Sequence, residues 1–225
     1  MSDTYLLVNV LSVSIPLAFS FESRVGFYKN WKALFPALLI PAIPFLIWDS
    51  VFTANGYWGF NETYLTGIKL LNLPVEEVMF FFFIPYCCVF SYEVLNYFIK
   101  KDLLGKYARY GSTILIYILI AVAFKYSDQA YTFWTAILTA VFLLTQVVFI
   151  KPEYWNKLIF AYIVILIPFF IVNGILTGTG LQEPIVWYND DENLGIRLLT
   201  IPIEDAFYGF LLIGSNISLY EYFKR

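Results

Sequence analysis

The segment GIKLLNLPVEE (residues 67–77) recurs 128 residues later as GIRLLTIPIED (residues 195–205), and this repeat decides the fold. Upstream, at an offset of 124, the segment IPFLIWD (residues 43–49) aligns with IPFFIVN (residues 167–173). A four-residue insertion around residues 189–192 would account for the change of offset. Self-similarity at a fixed spacing indicates repeated structural units. The sequence therefore predicts two related halves.

The composition is that of an integral membrane protein. Of the 225 residues, 60% are hydrophobic and 14% are charged, and the mean hydropathy is +0.70. A membrane-spanning helix needs about 20 apolar residues. Seven segments approach that length, which predicts an all-α fold with about seven transmembrane helices at residues 4–21, 33–53, 74–99, 111–126, 131–150, 158–177 and 202–222.

The positions of Lys and Arg predict the orientation, because cytoplasmic loops carry the excess of positive charge. Lys69, Lys125 and Arg197 fall on one side of the predicted membrane. All the other Lys and Arg residues, out of 14 in total, fall on the opposite side. We therefore expect a multi-pass protein of the plasma membrane with its amino terminus outside, its carboxyl terminus in the cytoplasm and both repeated acidic motifs on the outer face.

The repeat divides the chain into three parts. Residues 1–100 form a first repeat of helices 1 to 3, residues 101–127 contain a connecting helix 4, and residues 128–225 form a second repeat of helices 5 to 7. Because four helices separate equivalent positions, the two repeats are expected to have parallel topology.

Several function classes are excluded by what the chain lacks. It has no histidine, and His-cluster oxygenases, His-ligated haem proteins and Ser-His hydrolases all need that side chain. The sequence has no phosphate-binding glycine motif and no basic character that would suit a nucleic acid. Cys87 and Cys88 are adjacent in an apolar run and are interpreted as packing residues. We expect no metal, no cofactor, no nucleotide and no nucleic acid partner, and the sequence does not predict an oligomeric state.

The candidate catalytic residues are two pairs of acids, each following a proline that opens a helix. They are Glu76 and Glu77 after Pro74, and Glu204 and Asp205 after Pro202. Acidic residues are favourable at any helix start, but carboxylates within a membrane are costly and usually face the interior of the bundle. Their recurrence in both repeats favours a function. Adjacent carboxyls in such a setting can differ in protonation, which acid-base chemistry requires.

Other residues near these acids are candidates for binding and for charge tuning. Phe80, Phe81 and Tyr208 follow the motifs on the same helices and would offer aromatic faces to a cation. Asp49 and its counterpart Asn173 lie near the outer ends of helices 2 and 6, where Asp49 either joins the site or caps its helix. Lys69 and Arg197 each precede a motif by seven residues and would tune the acids.

The tandem Pro-x-Glu-acidic motifs, the Ile-Pro-Phe helix before each and the helix arrangement resemble the membrane-embedded lycopene cyclase family. That family comprises heterodimeric bacterial cyclases and the cyclase part of fungal cyclase-phytoene synthase fusions, and each half of this chain looks like one cyclase subunit. The resemblance implies a lycopene β-cyclase of the isomerase (intramolecular lyase) class in carotenoid biosynthesis, with lycopene and the lipid bilayer as partners. One of Glu76, Glu77, Glu204 and Asp205 would be the general acid, and another carboxylate or the same one would accept the proton.

Three alternatives to this function stay open on the sequence alone, and a fourth is disfavoured. A related cyclase could make ε rings or act on an elongated C50 carotenoid. The scaffold could bind carotenoid or lipid without catalysis. A transporter would also carry repeats and buried acids. A retinal protein is disfavoured, because helix 7 has no lysine for a Schiff base.

Overall fold

The computed structural model describes residues 3–225, and in this part of the chain it contains seven α-helices. They are α1 Thr4–Phe19, α2 Trp31–Ala54, α3 Val75–Phe98, α4 Lys106–Lys125, α5 Ala130–Leu144, α6 Trp155–Leu176 and α7 Ile203–Phe223. Helices α2, α3, α4 and α6 are long and apolar enough to cross a membrane, and so is α5 together with the π-helical segment Thr145–Ile150 that continues it. Helix α1 is a shorter apolar helix of 16 residues, and α7 begins with two acids. The prediction of an all-α, multi-pass membrane fold is confirmed.

The helix contacts follow the repeat. Helices α3 and α7 contact each other at the centre of the bundle. Helix α3 also packs against α1, α2 and α6. Helix α7 packs against α5, α6 and α2, which are the equivalents of those three helices in the repeat. The packing of α1 and α2 on α3 in the first half therefore has its equivalent in the packing of α5 and α6 on α7 in the second half. Helix α4 packs on α5 and α6, outside this arrangement.

Short strands connect the helices at the end of the bundle where α3 and α7 begin. Hairpins β2 (Lys69–Leu70) with β3 (Leu73–Pro74) and β5 (Arg197–Leu198) with β6 (Ile201–Pro202) lead directly into α3 and α7. Strand β1 (Trp58–Phe60) pairs antiparallel with β4 (Val186–Tyr188), so that the two halves are joined by backbone hydrogen bonds. The proline that ends each hairpin suits a helix start, since it donates no backbone hydrogen bond.

The structure corrects the position of the four-residue insertion. The offset of 128 already holds at β1 and β4, before residue 189. It also holds at Asn61 and Asn189, whose side chains accept from the backbone N–H two residues on and cap equivalent 3₁₀ turns. The four extra residues therefore lie between α6 and β4: this connection has nine residues (177–185) against three (55–57) in the first half, and α6 ends two residues earlier than the equivalent position of α2. The acidic residues 190–192 correspond to residues 62–64 and are not an insertion.

The opposite end of the bundle is closed by contacts between the repeats. The Tyr92 hydroxyl of α3 donates to Glu221 Oε1 of α7 at 2.7 Å. Lys224 Nζ, just after α7, lies 2.5 Å from Glu93 Oε1 of α3. The structure thus places both glutamates at the end of the bundle remote from the acidic motifs, where they join α3 to α7.

Gly59 provides a test of the strand contact between the halves. A Cβ atom at this position would lie 2.4 and 2.7 Å from two ring atoms of Trp187, its neighbour across the β1–β4 pair. Such an overlap forces strands or rings apart, and overpacking costs about 1–3 kcal/mol. We expect Gly59→Ala to lower the melting temperature of the purified protein in detergent. Gly111→Ala is the control, because its Cβ meets nothing within 4 Å, and an equal loss in both variants would contradict the interpretation.

Candidate active site

A cavity of about 250 Å³ lies among α1, α3, α6 and α7, with its polar end closed by β1 and β4. Apolar and aromatic side chains form most of its wall, as is usual for small-molecule sites. Along α3 the lining runs from Glu77 to Ser91, which corresponds to about 21 Å of helix. The cavity is therefore long and apolar, with carboxyl groups at one end.

The second acid of each motif faces this cavity. Glu77 and Asp205 line it from α3 and α7 and are both buried. The Tyr5 hydroxyl donates to Glu77 Oε2 at 2.5 Å. Asp205 receives two such bonds, from Tyr131 to Oδ1 at 2.5 Å and from Tyr188 to Oδ2 at 2.9 Å. Phenol donors thus fix both carboxyls at the same end of one cavity.

The first acid of each motif contacts the preceding loop instead. Glu76 Oε1 accepts from the backbone N–H of Thr66 at 2.7 Å. Glu204 Oε1 accepts from the backbone N–H of Leu194, the equivalent position, at 2.9 Å and from the Thr132 hydroxyl at 2.6 Å. Neither glutamate is among the residues that line the cavity. Successive helical residues point about 100° apart, so one acid of each pair faces the cavity and its neighbour holds the loop.

The structure brings the other predicted binding residues to the same cavity. Asp49 and Asn173 line it from α2 and α6, and the rings of Phe80, Phe81 and Tyr208 line it from α3 and α7. Asp49 lies five residues before the end of α2 and is 2% exposed. It is therefore a buried residue of the cavity wall, not a helix cap. Its Oδ1 accepts from the indole N–H of Trp58 at 2.6 Å.

The two predicted charge-tuning residues form ion pairs elsewhere. Lys69 Nζ lies 2.8 Å from Glu62 Oε1, and Arg197 lies 2.5 Å from Asp190 Oδ1. These pairs are equivalent in the repeat, and each lies at the surface of the loop that leads to its motif. The structure does not bring Lys69 or Arg197 into contact with a motif acid, and their effect on the acids stays a prediction.

Aromatic rings surround the carboxyl end. The ring of Tyr208 lies 5.0 Å from that of Trp48, 5.1 Å from Phe45 and 6.3 Å from both Trp58 and Tyr131. Such rings present negative faces that attract a cation. Burial and the nearby Asp205 carboxyl raise the pKa of the Tyr188 phenol well above its usual value. Tyr188 therefore stays a neutral hydrogen-bond donor.

Sequence reasoning missed four residues of the site: Tyr5, Trp58, Tyr131 and Tyr188. Three of them donate phenol hydrogen bonds to the acids, and the fourth donates its indole N–H to Asp49. A signal was present for two of them, since Tyr5 and Tyr131 both occupy the first turn of the first helix of a repeat. Trp58 and Tyr188 lie on short strands without an apolar pattern.

Comparison with known proteins gives a consistent set of relatives. The sequence model of the family described as lycopene cyclase matches residues 2–95 and 128–223, and α4 lies in the interval between these two matches. A bifunctional lycopene cyclase/phytoene synthase of Aspergillus oryzae is 28% identical over 161 residues, which are 64% of this chain and 26% of that protein. A protein of the same name from Phycomyces blakesleeanus is 38% identical over 65 residues, which are 28% of this chain and 11% of that protein. The chain thus spans about a quarter or less of these relatives. No solved structure matches it.

Proposed function

As this chain belongs to the lycopene cyclase family, we propose that it is a carotenoid cyclase that converts the open ψ ends of lycopene into β rings. The observation that carries the proposal is the placement of Glu77 and Asp205, one from each repeat, at the same end of a long apolar cavity. A linear hydrocarbon fits the apolar part. Its end group would then lie beside the carboxyls.

The reaction needs only proton transfers. A carboxyl O–H protonates the terminal alkene, and this leaves a tertiary cation. The neighbouring double bond attacks that cation and closes the ring, and a carboxylate removes a proton from the ring cation to form the new double bond. One proton enters and one leaves, so that the substrate is isomerised without any net change of electrons. General acid-base catalysis of this kind contributes about 10²–10⁴-fold to a rate.

The cavity residues divide these tasks. Glu77 and Asp205 are the motif acids proposed to take part in proton transfer, because they face the cavity. The rings of Phe80, Phe81 and Tyr208 would stabilise the cation and, together with Asn173, position the end group. Glu76 and Glu204 would act indirectly, by holding the loops before α3 and α7 through backbone hydrogen bonds. Lys69 and Arg197 would tune the site through the charge of those loops.

The proposed location is the plasma membrane, with the amino terminus outside and the carboxyl terminus in the cytoplasm. The support is the distribution of charge, because most Lys and Arg residues lie at the end of the bundle opposite the acidic motifs. The carboxyl end of the cavity would then lie near the outer surface, and its apolar part would reach into the hydrocarbon region that dissolves the substrate.

The test is expression of the full chain in a bacterial host that accumulates lycopene, followed by chromatography of the pigments. We expect bicyclic or monocyclic products with β rings, and purified protein in deuterated water should add one deuterium per ring. Products with ε rings would show that the proposed ring type is wrong but that the proposed cyclase activity is right. Lycopene that stays bound and unchanged would indicate a carotenoid-binding protein and would contradict the proposal.

A further inference from the structure

The cavity holds a third carboxyl that lies outside the repeated motifs and has no acidic counterpart in the second half. We propose that Asp49 of α2 is the catalytic acid that donates the initiating proton to the terminal alkene. This inference rests on the proposed function and adds to it a donor that the Pro-x-Glu-acidic motifs do not contain. The equivalent residue of the second half, Asn173, has an amide that carries no such proton.

The hydrogen bonds of Asp49 leave one of its oxygens available. Oδ1 accepts from Trp58 Nε1 at 2.6 Å. Oδ2 is buried and has no hydrogen-bond partner among the residues that the structure describes. The side chain itself is 2% exposed and lines the cavity. A buried carboxylate with a single donor is poorly compensated, whereas a neutral carboxyl can direct its O–H from Oδ2 towards a bound alkene.

A comparison of the three cavity carboxyls indicates where the negative charge resides. Of the described residues that line the cavity, none is Lys or Arg, so hydrogen bonds must compensate any charge there. Asp205 receives two phenol bonds, one on each oxygen. Glu77 and Asp49 receive one donor each. A single negative charge therefore belongs on Asp205, which leaves Asp49 with its proton.

The arrangement provides a return path for the proton. Glu77 lines the same cavity as Asp49 and Asp205, and Tyr208 lines it as well. Glu77 is therefore the carboxyl proposed to carry the proton from the acceptor back to the donor. Tyr208 lies near all of them, where the substrate cation would form.

The proposed cycle balances. The Asp49 O–H bond breaks and a C–H bond forms on the terminal alkene, which creates the tertiary cation and the Asp49 carboxylate. The neighbouring double bond then forms the ring C–C bond. A ring C–H bond breaks, its electron pair becomes the new double bond, and the proton goes to Asp205. Transfer of that proton through Glu77 to Asp49 restores the starting state, and no oxidant or reductant is needed.

The test uses the full chain purified into lipid nanodiscs with lycopene. We expect Asp49→Asn to form rings at least about 100-fold more slowly than the wild type. It should bind an amount of lycopene within twofold of the wild type, as measured by the visible absorption of the polyene. The Asn side chain still accepts from Trp58 but has no carboxyl proton. Asp49→Glu, which restores a carboxyl, should recover part of the lost rate.

Ser50→Ala is the control, because Ser50 follows Asp49 in α2 but its hydroxyl bonds Asn72 at the surface. Ring formation by Asp49→Asn within threefold of the wild type would overturn the assignment while leaving the cyclase function intact. If the wild type forms no rings, the proposed function itself is contradicted. If Asp49→Asn fails to accumulate, the double variant Asp49→Leu/Trp58→Phe takes its place, because it replaces both hydrogen-bond partners by apolar groups. A loss of at least about 100-fold in its rate of ring formation would then support the assignment, and a rate within threefold of the wild type would overturn it.

Discussion

Glu77→Gln and Asp205→Asn should each reduce ring formation from lycopene by at least about 100-fold, since each removes a carboxyl from the cavity. Both substitutions keep the size of the side chain, and the Tyr5 and Tyr131 hydroxyls can still donate to the remaining amide oxygen. The loss should therefore appear in the turnover of bound lycopene more than in its binding. Pigment chromatography and the absorption of the purified complex measure the two quantities separately.

The adjacent acids of the same motifs supply the matched controls. Glu76→Gln and Glu204→Gln make the same replacement of a carboxyl by an amide one residue away, on side chains that bond the loop backbone. We expect them to retain ring formation within about tenfold of the wild type and to lower the melting temperature, because the hydrogen bond to the loop is weakened and such a bond contributes about 0.5–1.5 kcal/mol. If these two variants lost more activity than Glu77→Gln and Asp205→Asn, the assignment of the cavity-facing acids would be wrong.

Ser12→Trp should abolish lycopene binding, because Ser12 lines the cavity from α1, far from the carboxyl end. An indole ring there would occupy much of the 250 Å³ cavity. The end group of a long polyene could then no longer reach Glu77. The expected result is a loss of both bound pigment and ring formation, with the protein still present in the membrane.

Ser14→Trp is the control for this substitution. Ser14 lies two residues further along the same helix and is exposed on the outside of the bundle. Each of the two serines donates its hydroxyl to the backbone carbonyl four residues earlier, Val8 for Ser12 and Val10 for Ser14, so the local cost of either change is similar. Equal pigment binding by the two variants would show that the polyene does not occupy this cavity.

The helices were predictable because a membrane requires long apolar segments, and the repeat predicted which helices are equivalent. Helix starts such as Pro74 and Pro202 were located within one residue. The alignment failed locally between α6 and β4, because strand β4 (VWY) shares no residue type at equivalent positions with β1 (WGF). Only the pairing of those strands reveals their equivalence.

The composition of the site was less predictable than its location. The two acids of each motif look alike in sequence, and the rotation of the helix decides which of them faces the cavity. The side chains that hold the acids come from distant positions, such as Tyr5 for Glu77 and Tyr131 for Asp205. Asp49 could be a cap or a site residue on spacing alone. Its bond to Trp58 depends on the position of strand β1, which no periodic pattern predicts.

The pairing of one acid from each half around a common cavity also bears on how such a chain can evolve. Each copy here supplies one carboxyl to a cavity that both copies line. Glu77 comes from the first copy, Asp205 and its two phenol donors come from the second, and Asp49 is present in the first copy only. Neither copy can therefore be lost without loss of the site, and selection acts on the two different copies together.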